Sequence, residues 1–559
     1  MKENWESIGT VVGNTNTLEY AFILKSFKSR VGDIVALKMR IPSEDYKATK
    51  QVYVWGRISS IERVNPFFPF EAAQELSDTG INLIDTVLSN TRDQLQASVI
   101  VLGYTHEDDS NYSLYPVTYP IEPAKEVLFP PTNAVSSLLQ GERDLNSIFI
   151  GSLISRGDVN LSIRANPIVA RHMAILAMTG GGKTVASRRI IREFANKGYP
   201  LLIIDPHGDY LSLAENAGNF PSNDIKLFYP YVKLSESNEY ILKTLITKMT
   251  KGGLTEAQQE LFDMAMERTS LEGEIGIRSY IHKLDGIINS IDVDGRLVRS
   301  KGAVRRALRF VDNKLEAMER SNQQLRSRLD MFSFLELPDP SDEPNEIIAP
   351  GQISILYLGG YDHLTQSTIV SILMDNLFEH RASMANIIPP FFTVIEEAHN
   401  FIPSHSEGLG STPSIESIRR IITEGRKFGT GLLLISQRPS RLDQTILSQC
   451  NTFLILRLVN PKDQNFVRQV MENLSESDAK MLPSFGPGQG LISGQAVRFP
   501  LLIKIQMDKD LIPSTLGDEN FISQVEKWGD SPEAKTVSKS KAMIEFLERK
   551  NKRGKKRGQ

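Results

Sequence analysis

The stretch His172-Met-Ala-Ile-Leu-Ala-Met-Thr-Gly-Gly-Gly-Lys-Thr184 decides the fold. Its apolar half predicts a short buried strand, and residues 185–196 predict a helix. Between them a glycine turn brings a lysine and a threonine to the start of the helix. In this context the backbone N–H groups of the turn and of the helix N-terminus point at an anion. The pattern therefore predicts a loop that binds the phosphates of a nucleoside triphosphate, formed by Thr179, Gly180, Gly181, Gly182, Lys183, Thr184 and Val185.

Two members of this loop carry specific expectations. Lys183 is expected to reach the β- and γ-phosphates of ATP, and the Thr184 hydroxyl is expected to bind Mg²⁺. Ala177 stands where the usual pattern has its first glycine. Because three glycines follow it, the turn does not depend on that position.

A second apolar strand ends in two acids, within Pro390-Phe-Phe-Thr-Val-Ile-Glu-Glu-Ala-His399. In a phosphate-loop ATPase such a strand end holds the metal and polarises the attacking water. Glu396 is the predicted Mg²⁺ residue, and Glu397 is the predicted base that orients the water. The first position is more often aspartate, so glutamate lengthens the metal arm here.

Two further apolar strands end in polar residues. Asp205 closes Leu201-Leu-Ile-Ile-Asp205, and we expect this strand to lie beside the first one, with the carboxylate near the metal or near Glu397. A structural turn built by Asp-Pro-His-Gly is the alternative. Gln437 follows Leu432-Leu-Leu-Ile-Ser436 and is predicted to sense the γ-phosphate.

Two arginines are candidates for a finger that completes a neighbouring subunit's site. Arg426 lies in Gly425-Arg-Lys-Phe-Gly429, a predicted turn between a helix and a strand. An arginine delivered in trans stabilises charge in the transition state. A surface salt bridge is the alternative for Arg426. Arg171, just before the first strand, is a weaker candidate for nucleotide contact.

Composition limits the class of protein. The chain has 559 residues, 40% hydrophobic and 23% charged, with a net charge of −3, so any nucleic-acid contact must come from a local patch. The single cysteine, Cys450, and an N-terminus without an apolar leader predict a cytoplasmic protein. Seven basic side chains in residues 549–559 form either a solvated tail or an arm that contacts DNA.

The order of patterns predicts several domains. Residues 1–135 alternate like short strands of a small barrel, interrupted by a helical stretch near residues 69–90. Residues 136–234 and 339–510 alternate buried strands with helices, as in an α/β core. Residues 235–338 have a helical pattern throughout, with segments at 258–268, 303–320 and 322–334, and predict a helical insertion. Its charges form either a solvated face or a surface for a partner or DNA. Residues 511–559 form a C-terminal extension.

Together these motifs resemble the HerA family of hexameric DNA translocases, in the FtsK–HerA branch of P-loop ATPases. The resemblance rests on the loop with Lys183, on Asp205-Pro-His-Gly-Asp-Tyr210, on Glu396-Glu397-Ala-His-Asn-Phe401, on Gly425-Arg-Lys-Phe-Gly429 and on Ser436-Gln-Arg-Pro439. It implies a RecA-like core after a HAS-barrel-like domain, and a homohexamer with ATP and Mg²⁺ between subunits. It also implies duplex DNA in the pore, Arg426 acting in trans, and the other site residues acting in cis.

The expected function is an ATP-dependent double-stranded DNA translocase or helicase that works with an effector enzyme. The resemblance implies a NurA-like nuclease, or a sirtuin-like NADase in antiphage defence. Two alternatives stay open at this point. One is an ATP-binding hexameric scaffold for a partner effector, and the other is a conjugation-type DNA-pumping ATPase.

Overall fold

The structure is a computed structural model, and Met1–Asp508 and Lys509–Gln559 form separate units within it. It describes residues 5–511 except for 26, 43–48, 65–93, 110–111, 141–145, 216–217, 219, 221–223, 235–239, 251–252, 270–274, 327–331, 338–343, 384–387, 405–411 and 472–473. The predicted helical stretch at 69–90 and the basic residues 549–559 lie outside the described residues. Among the described helices, none is long and apolar enough to cross a membrane.

The N-terminal strands close into the predicted antiparallel barrel, in the order β1-β2-β5-β4-β3-β6. Alternating burial explains this, because every second side chain of β2 points into the barrel core. Trp55 is fully buried and its indole N–H donates to Thr105 Oγ1 at 2.9 Å. The strands are β1 Glu6–Val12, β2 Glu19–Leu24, β3 Ile34–Pro42, β4 Thr49–Val64, β5 Gln94–His106 and β6 Glu126–Phe129.

A large mixed sheet forms the second part, in the order β12-β11-β14-β10-β15-β16-β9-β17-β18-β19-β7-β8, with β13 paired to β11. Its centre is parallel and almost wholly apolar, as expected for strands covered on both faces. The strands are β7 Ser147–Leu153, β8 Asn160–Arg164, β9 Met173–Leu176, β10 Leu201–Asp205, β11 Asp224–Leu234, β12 Ile275–Gly276, β13 Phe332–Leu337, β14 Gln352–Tyr357, β15 Phe391–Ile395, β16 Thr430–Ser436, β17 Thr452–Ile455, β18 Gln489–Gly494 and β19 Leu501–Ile505.

The strand order corrects one prediction. Strand β10 does not lie beside β9, because β15 and β16 lie between them. The carboxyl ends of β10, β15, β16 and β9 nevertheless reach the same edge, since Ser436 pairs with Leu176 and Ile395 pairs with Ile204. We call this side of the sheet the carboxyl edge, and the side where these strands begin the amino edge.

Helices cover the sheet and build the insertion. One long helix, Arg296–Arg326, covers the predicted segment 303–320 and the start of the predicted segment 322–334. The prediction of helix up to residue 334 was wrong, because strand β13 begins at Phe332. Residues 332–337 pair in parallel with β11, and that non-local pairing overrides the local pattern. The helices are α1 Thr132–Gln140, α2 Ala165–Arg171, α3 Lys183–Asn196, α4 Leu211–Glu215, α5 Tyr240–Met249, α6 Glu256–Glu267, α7 Ile277–Ser290, α8 Arg296–Arg326, α9 His363–Ala382, α10 Ser414–Glu424, α11 Gln444–Leu447, α12 Pro461–Val470 and α13 Glu476–Met481.

One buried ion pair joins the barrel to the sheet domain. Arg57 of β4 donates to both carboxylate oxygens of Asp478 on α13, at 2.8 and 2.7 Å. Both side chains are almost fully buried. Removing one partner of such a pair leaves an uncompensated charge and costs about 3–5 kcal/mol. The pair therefore fixes the position of the barrel on the core.

Candidate nucleotide site

The phosphate loop has the backbone that its glycines predict. Gly180 and Gly182 have φ values of 75° and 99°, in the region that favours glycine. Helix α3 begins at Lys183 without a side-chain cap, so its first N–H groups are available to an anion. Thr184 and Val185 are half-buried in its first turn. Ala177 is fully buried in the strand end, and its N–H donates to Ser436 O at 3.2 Å.

A second glycine turn supports the loop from behind. Gly488 N–H donates to Gly181 O at 3.1 Å. A Cβ at Gly182 would lie 2.7 Å from Gly488 N and 2.9 Å from its Cα, so this backbone approach requires glycine at 182. The turn at 486–490 was not a predicted site element. It holds the phosphate loop in place through contacts that no local pattern reveals.

Lys183 lies between the two predicted acids. Its Nζ donates to Glu396 Oε1 at 3.1 Å and to Glu397 Oε1 at 3.2 Å. All three side chains are buried, at 7%, 2% and 5% side-chain exposure. One ammonium group shared by two buried carboxylates offsets part of their charge where water cannot. The structure thus brings together three residues that the sequence placed in two separate motifs.

Glu396 is held on both oxygens. Tyr210 OH donates to its Oε2 at 2.8 Å, opposite the Lys183 contact on Oε1. Burial raises the pKa of this carboxyl, while Lys183 and the tyrosine hydrogen bond pull it down. The net direction is upward because the side chain is among the deepest charged groups of the described residues.

Glu397 has a different environment and an unusual backbone. Its φ and ψ are 48° and 49°, a left-handed conformation that costs a non-glycine residue about 1–3 kcal/mol. Burial raises its pKa, but His399 and Lys183 outweigh burial and hold the pKa at about 2. His399 Nδ1 lies 3.2 Å from Glu397 Oε2. The carboxylate therefore stays ionised near neutral pH, as a base must.

Gln437 connects the phosphate loop to this base. Its Nε2 donates to Glu397 Oε1, and its Oε1 accepts from the Thr179 hydroxyl. Strand β16, which carries Gln437, lies between β9 and β15. The side chain therefore bridges loop and base, which is the place that a sensor of the terminal phosphate needs.

Asp205 builds a turn. Its Oδ1 accepts the N–H groups of His207, Gly208 and Asp209 at 3.2, 2.7 and 3.1 Å, and its Oδ2 accepts that of Tyr210 at 2.8 Å. Burial raises its pKa, and these backbone hydrogen bonds lower it. Both oxygens are engaged within its own turn, which favours the structural alternative over direct contact with a metal.

The two candidate arginines lie at the amino edge, away from the phosphate loop of their own chain. Arg426 is exposed in the turn Gly425–Phe428 that precedes β16. Arg171 ends α2 just before β9. Strand β16 alone spans about 23 Å, at about 3.3 Å per residue. Neither arginine is brought together with Lys183, so a nucleotide role for either requires a second subunit.

The arginine turn is braced by buried groups. His172 Nε2 donates to Ile422 O at 3.0 Å and its Nδ1 accepts from Leu432 N–H at 3.1 Å. This pattern requires the neutral ring, and burial lowers the pKa of His172 to about 4. Arg381 Nε donates to Phe428 O at 2.7 Å. The turn that presents Arg426 is therefore rigid although its tip is exposed.

The donor set fits Mg²⁺ only when it is bound together with phosphates. Among the described residues, no cluster of three or more His, Cys, Asp or Glu side chains forms a cation site by itself. Mg²⁺ is commonly held by one or two carboxylates plus phosphates and water. A buried carboxylate at Glu396, a hydroxyl at Thr184 and an uncapped helix start fit that mode.

Several neighbours of the site were quoted in motifs but given no role by the sequence. These are Tyr210 and His399; Ser187 of α3 and the turn around Gly488 also contact the site but lay outside the quoted motifs. Their positions in the motifs gave a signal, because each follows a strand end or precedes a strand in the core. Their partners lie far away in the chain, as for Tyr210 and Glu396, 186 positions apart.

The parallel sheet, the glycine loop and the paired acids define the class. The protein is a P-loop ATPase with a RecA-like core and an N-terminal barrel. A solved structure of the bacterial conjugative coupling protein TrwB aligns with a TM-score of 0.43 and 14% identity, covering 66% of this chain and 96% of that one.

Sequence comparisons narrow the class to a family. A family model described as "Helicase HerA, central domain" matches residues 148–377. The "DNA double-strand break repair helicase HerA" of Pyrococcus furiosus is 28% identical over 549 residues, covering 90% of this chain and 93% of that protein. The protein of the same name from Saccharolobus solfataricus is 26% identical, covering 93% and 97%. Over most of its length the chain is therefore similar to these HerA helicases.

Proposed function

We propose that the protein is an ATP-dependent translocase or helicase for double-stranded DNA that acts as a homohexameric ring. The observation that carries this is the closed network of Lys183, Glu396, Glu397 and Gln437 at the carboxyl edge, with Arg426 presented at the opposite edge. One chain thus holds a phosphate loop and a base, and offers an arginine to a neighbour. The relatives named above, which are called DNA repair helicases, support DNA as the substrate.

The residues have distinct roles in this proposal. The phosphate loop and Lys183 bind the phosphates, and Thr184 and Glu396 hold Mg²⁺, which would neutralise charge on the phosphates. Glu397 orients the attacking water, and Gln437 links the terminal phosphate to Glu397. Arg426 of one subunit acts on the nucleotide of the next. Asp205 contributes through its turn rather than through the metal.

We also propose the biological setting that the sequence suggested. The division into 1–135, 136–234 with 339–510, 235–338 and 511–559 stays a prediction. A cytoplasmic location for the protein also stays a prediction, and so does an effector partner, either a NurA-like or other nuclease or a sirtuin-like NADase. The names of the relatives favour processing of DNA ends over antiphage defence.

A roadblock experiment tests the proposal. Wild-type protein, ATP and Mg²⁺ are incubated with linear duplex carrying a bound protein block, and both ATP turnover and loss of the block are measured. We expect duplex to stimulate turnover and the block to be removed. Glu397→Gln is the matched control, because it keeps the shape of the side chain, should retain ATP binding and should lose turnover.

Two outcomes would contradict the proposal. Turnover retained in Glu397→Gln would remove that residue from its role. A ring that binds ATP but leaves the block in place, with or without duplex-independent turnover, would favour the scaffold function instead.

A further inference from the structure

Tyr210 is a buried residue at the site to which neither the sequence motifs nor the proposed roles give a function. Its side chain is fully buried, and its hydroxyl lies 2.8 Å from Glu396 Oε2 and 2.8 Å from Ser187 Oγ. A buried phenol normally needs one polar partner. This one has two, and they come from the acidic strand and from the helix of the phosphate loop.

The directions of these hydrogen bonds follow from the number of protons. A carboxylate can only accept hydrogen bonds, so Tyr210 donates its single O–H to Glu396. Ser187 must then be the donor in its contact with Tyr210. Ser187 Oγ also lies 3.2 Å from Thr184 O, one turn earlier on α3. Because the contact with Tyr210 uses the single proton of Ser187, the link from Glu396 through Tyr210 ends at Ser187, on the helix of the phosphate loop.

The tyrosine is itself fixed on several sides. Its backbone N–H donates to the fully buried Asp205 at 2.8 Å, within the turn that this aspartate organises. The guanidinium of Arg188, from α3, lies 5.9 Å from the centre of the tyrosine ring. Gly208, with a φ of +91°, allows the tight turn before it. The hydroxyl is thus held at a defined point beside Glu396.

We propose that Tyr210 is a positioning residue that fixes Glu396 through Oε2 and so keeps Oε1 directed toward the phosphate loop. This inference rests on the proposed binding of ATP and Mg²⁺. Lys183 occupies Oε1 in the present arrangement, and its assigned role on the phosphates takes it away from the carboxylates. Among the described contacts, the tyrosine hydrogen bond is then the one that still orients Glu396.

The inference also gives Asp205 a function. Its carboxylate accepts hydrogen bonds from four backbone N–H groups, the last of which belongs to Tyr210. Asp205 therefore acts on the metal residue through the turn and the tyrosine, not by direct contact. This explains why the Asp205 carboxylate, at the end of a core strand, is hydrogen-bonded to the backbone of its own turn.

The test is Tyr210→Phe, which removes the hydroxyl and keeps the ring. Binding of fluorescent ADP is measured over a series of Mg²⁺ concentrations and in EDTA, with Mg²⁺-dependent ATP turnover as a second readout. We expect the Mg²⁺ concentration for half-maximal binding to rise about 10- to 100-fold, as for the loss of partners that orient metal ligands. Binding in EDTA should be unchanged, and saturating Mg²⁺ should restore most of the turnover.

Tyr20→Phe is the matched control. Tyr20 is 3% exposed inside the barrel, and its hydroxyl has no partner among the described residues. Its loss should leave the Mg²⁺ dependence unchanged. Ser187→Ala is a second variant at the site, and it should shift the Mg²⁺ dependence in the same direction as Tyr210→Phe but by less.

Three results are distinguishable. An unchanged Mg²⁺ dependence in a folded Tyr210→Phe protein overturns the inference. Equal weakening with Mg²⁺ and in EDTA also overturns it, because it indicates a general structural role. If the wild type binds ADP but hydrolyses no ATP, the proposed function fails while the binding shift still tests Tyr210.

Discussion

The two edges of the central sheet use charge in opposite ways. At the carboxyl edge, Lys183, Glu396 and Glu397 are buried and satisfy one another. At the amino edge, Arg426 is exposed, while the buried neutral His172 and the half-buried Arg381 hold its turn in place. The charged groups of the carboxyl edge pair with one another, whereas the amino edge exposes a cation to solvent.

This difference indicates what each edge can do alone. Under the proposed function, the carboxyl edge holds the residues for nucleotide binding and water activation in a single chain. The amino edge has no substrate in its own chain, because the whole sheet separates it from the phosphate loop. Under the proposed function, its exposed arginine acts on a nucleotide that a neighbouring chain holds.

Lys183→Met should give the largest effect. It removes the phosphate contact and leaves two buried carboxylates without their cation, so we expect loss of ATP turnover and a fall of about 3–5 kcal/mol in the free energy of unfolding. Chemical denaturation and turnover assays measure both. Lys427→Met, in the exposed arginine turn, is the control that should leave stability unchanged. Unaltered stability in Lys183→Met would show that the triad is not balanced as described.

Arg426→Ala should separate activity from stability. Because the side chain is exposed, stability should change by about 0.5 kcal/mol or less. Turnover should fall by about a thousandfold or more if the arginine contacts a transferring phosphate. Lys427→Ala is the neighbouring control with the same loss of charge.

Mixing tests the trans assignment. Rings assembled from Arg426→Ala and Glu397→Gln subunits should regain part of the activity, since some interfaces then contain both intact residues. Mixed rings that form and stay inactive would contradict the assignment in trans.

His172 should make the amino edge sensitive to acid. Its folded pKa of about 4 lies below the unfolded value of about 6.5, so its stabilising contribution is complete above pH 6.5 and is lost as pH falls toward 4. The stability advantage of the wild type over His172→Gln should shrink by about 3 kcal/mol between pH 7 and pH 4. Denaturation at a series of pH values measures this. A constant difference would mean that the histidine is not held neutral.

Gly488→Ala should give the smallest effect, at the support of the phosphate loop. Its φ is +70°, so alanine there costs about 1 kcal/mol. Part of that strain should reach the loop and weaken ATP binding by up to about tenfold. Gly13→Ala in the barrel, with a φ of +71° and no atom near the new Cβ, is the matched control. Equal ATP affinity in both variants would remove the support role.

The sequence predicted much of the fold for a physical reason. Strands such as Thr430–Ser436 and the loop before α3 are local patterns of apolar residues and glycines, which a short window contains completely. The order of the strands is not local. The strand ending at Asp205 was expected beside β9, but β15 and β16 lie between them. The strand Phe332–Leu337 was missed because its pairing with β11 defines it.

By itself, the sequence determined the chemistry of the parts: a phosphate loop, two acids, a glutamine and an arginine, each at the end of a predictable element. Only the tertiary structure decided their partners. Lys183 donates to Glu396 across 213 positions of chain, Asp205 accepts from the backbone of its own turn, and Tyr210 donates to Glu396. The reason is that a buried charged group needs a partner, and only the folded core decides which residue lies within hydrogen-bond distance of it.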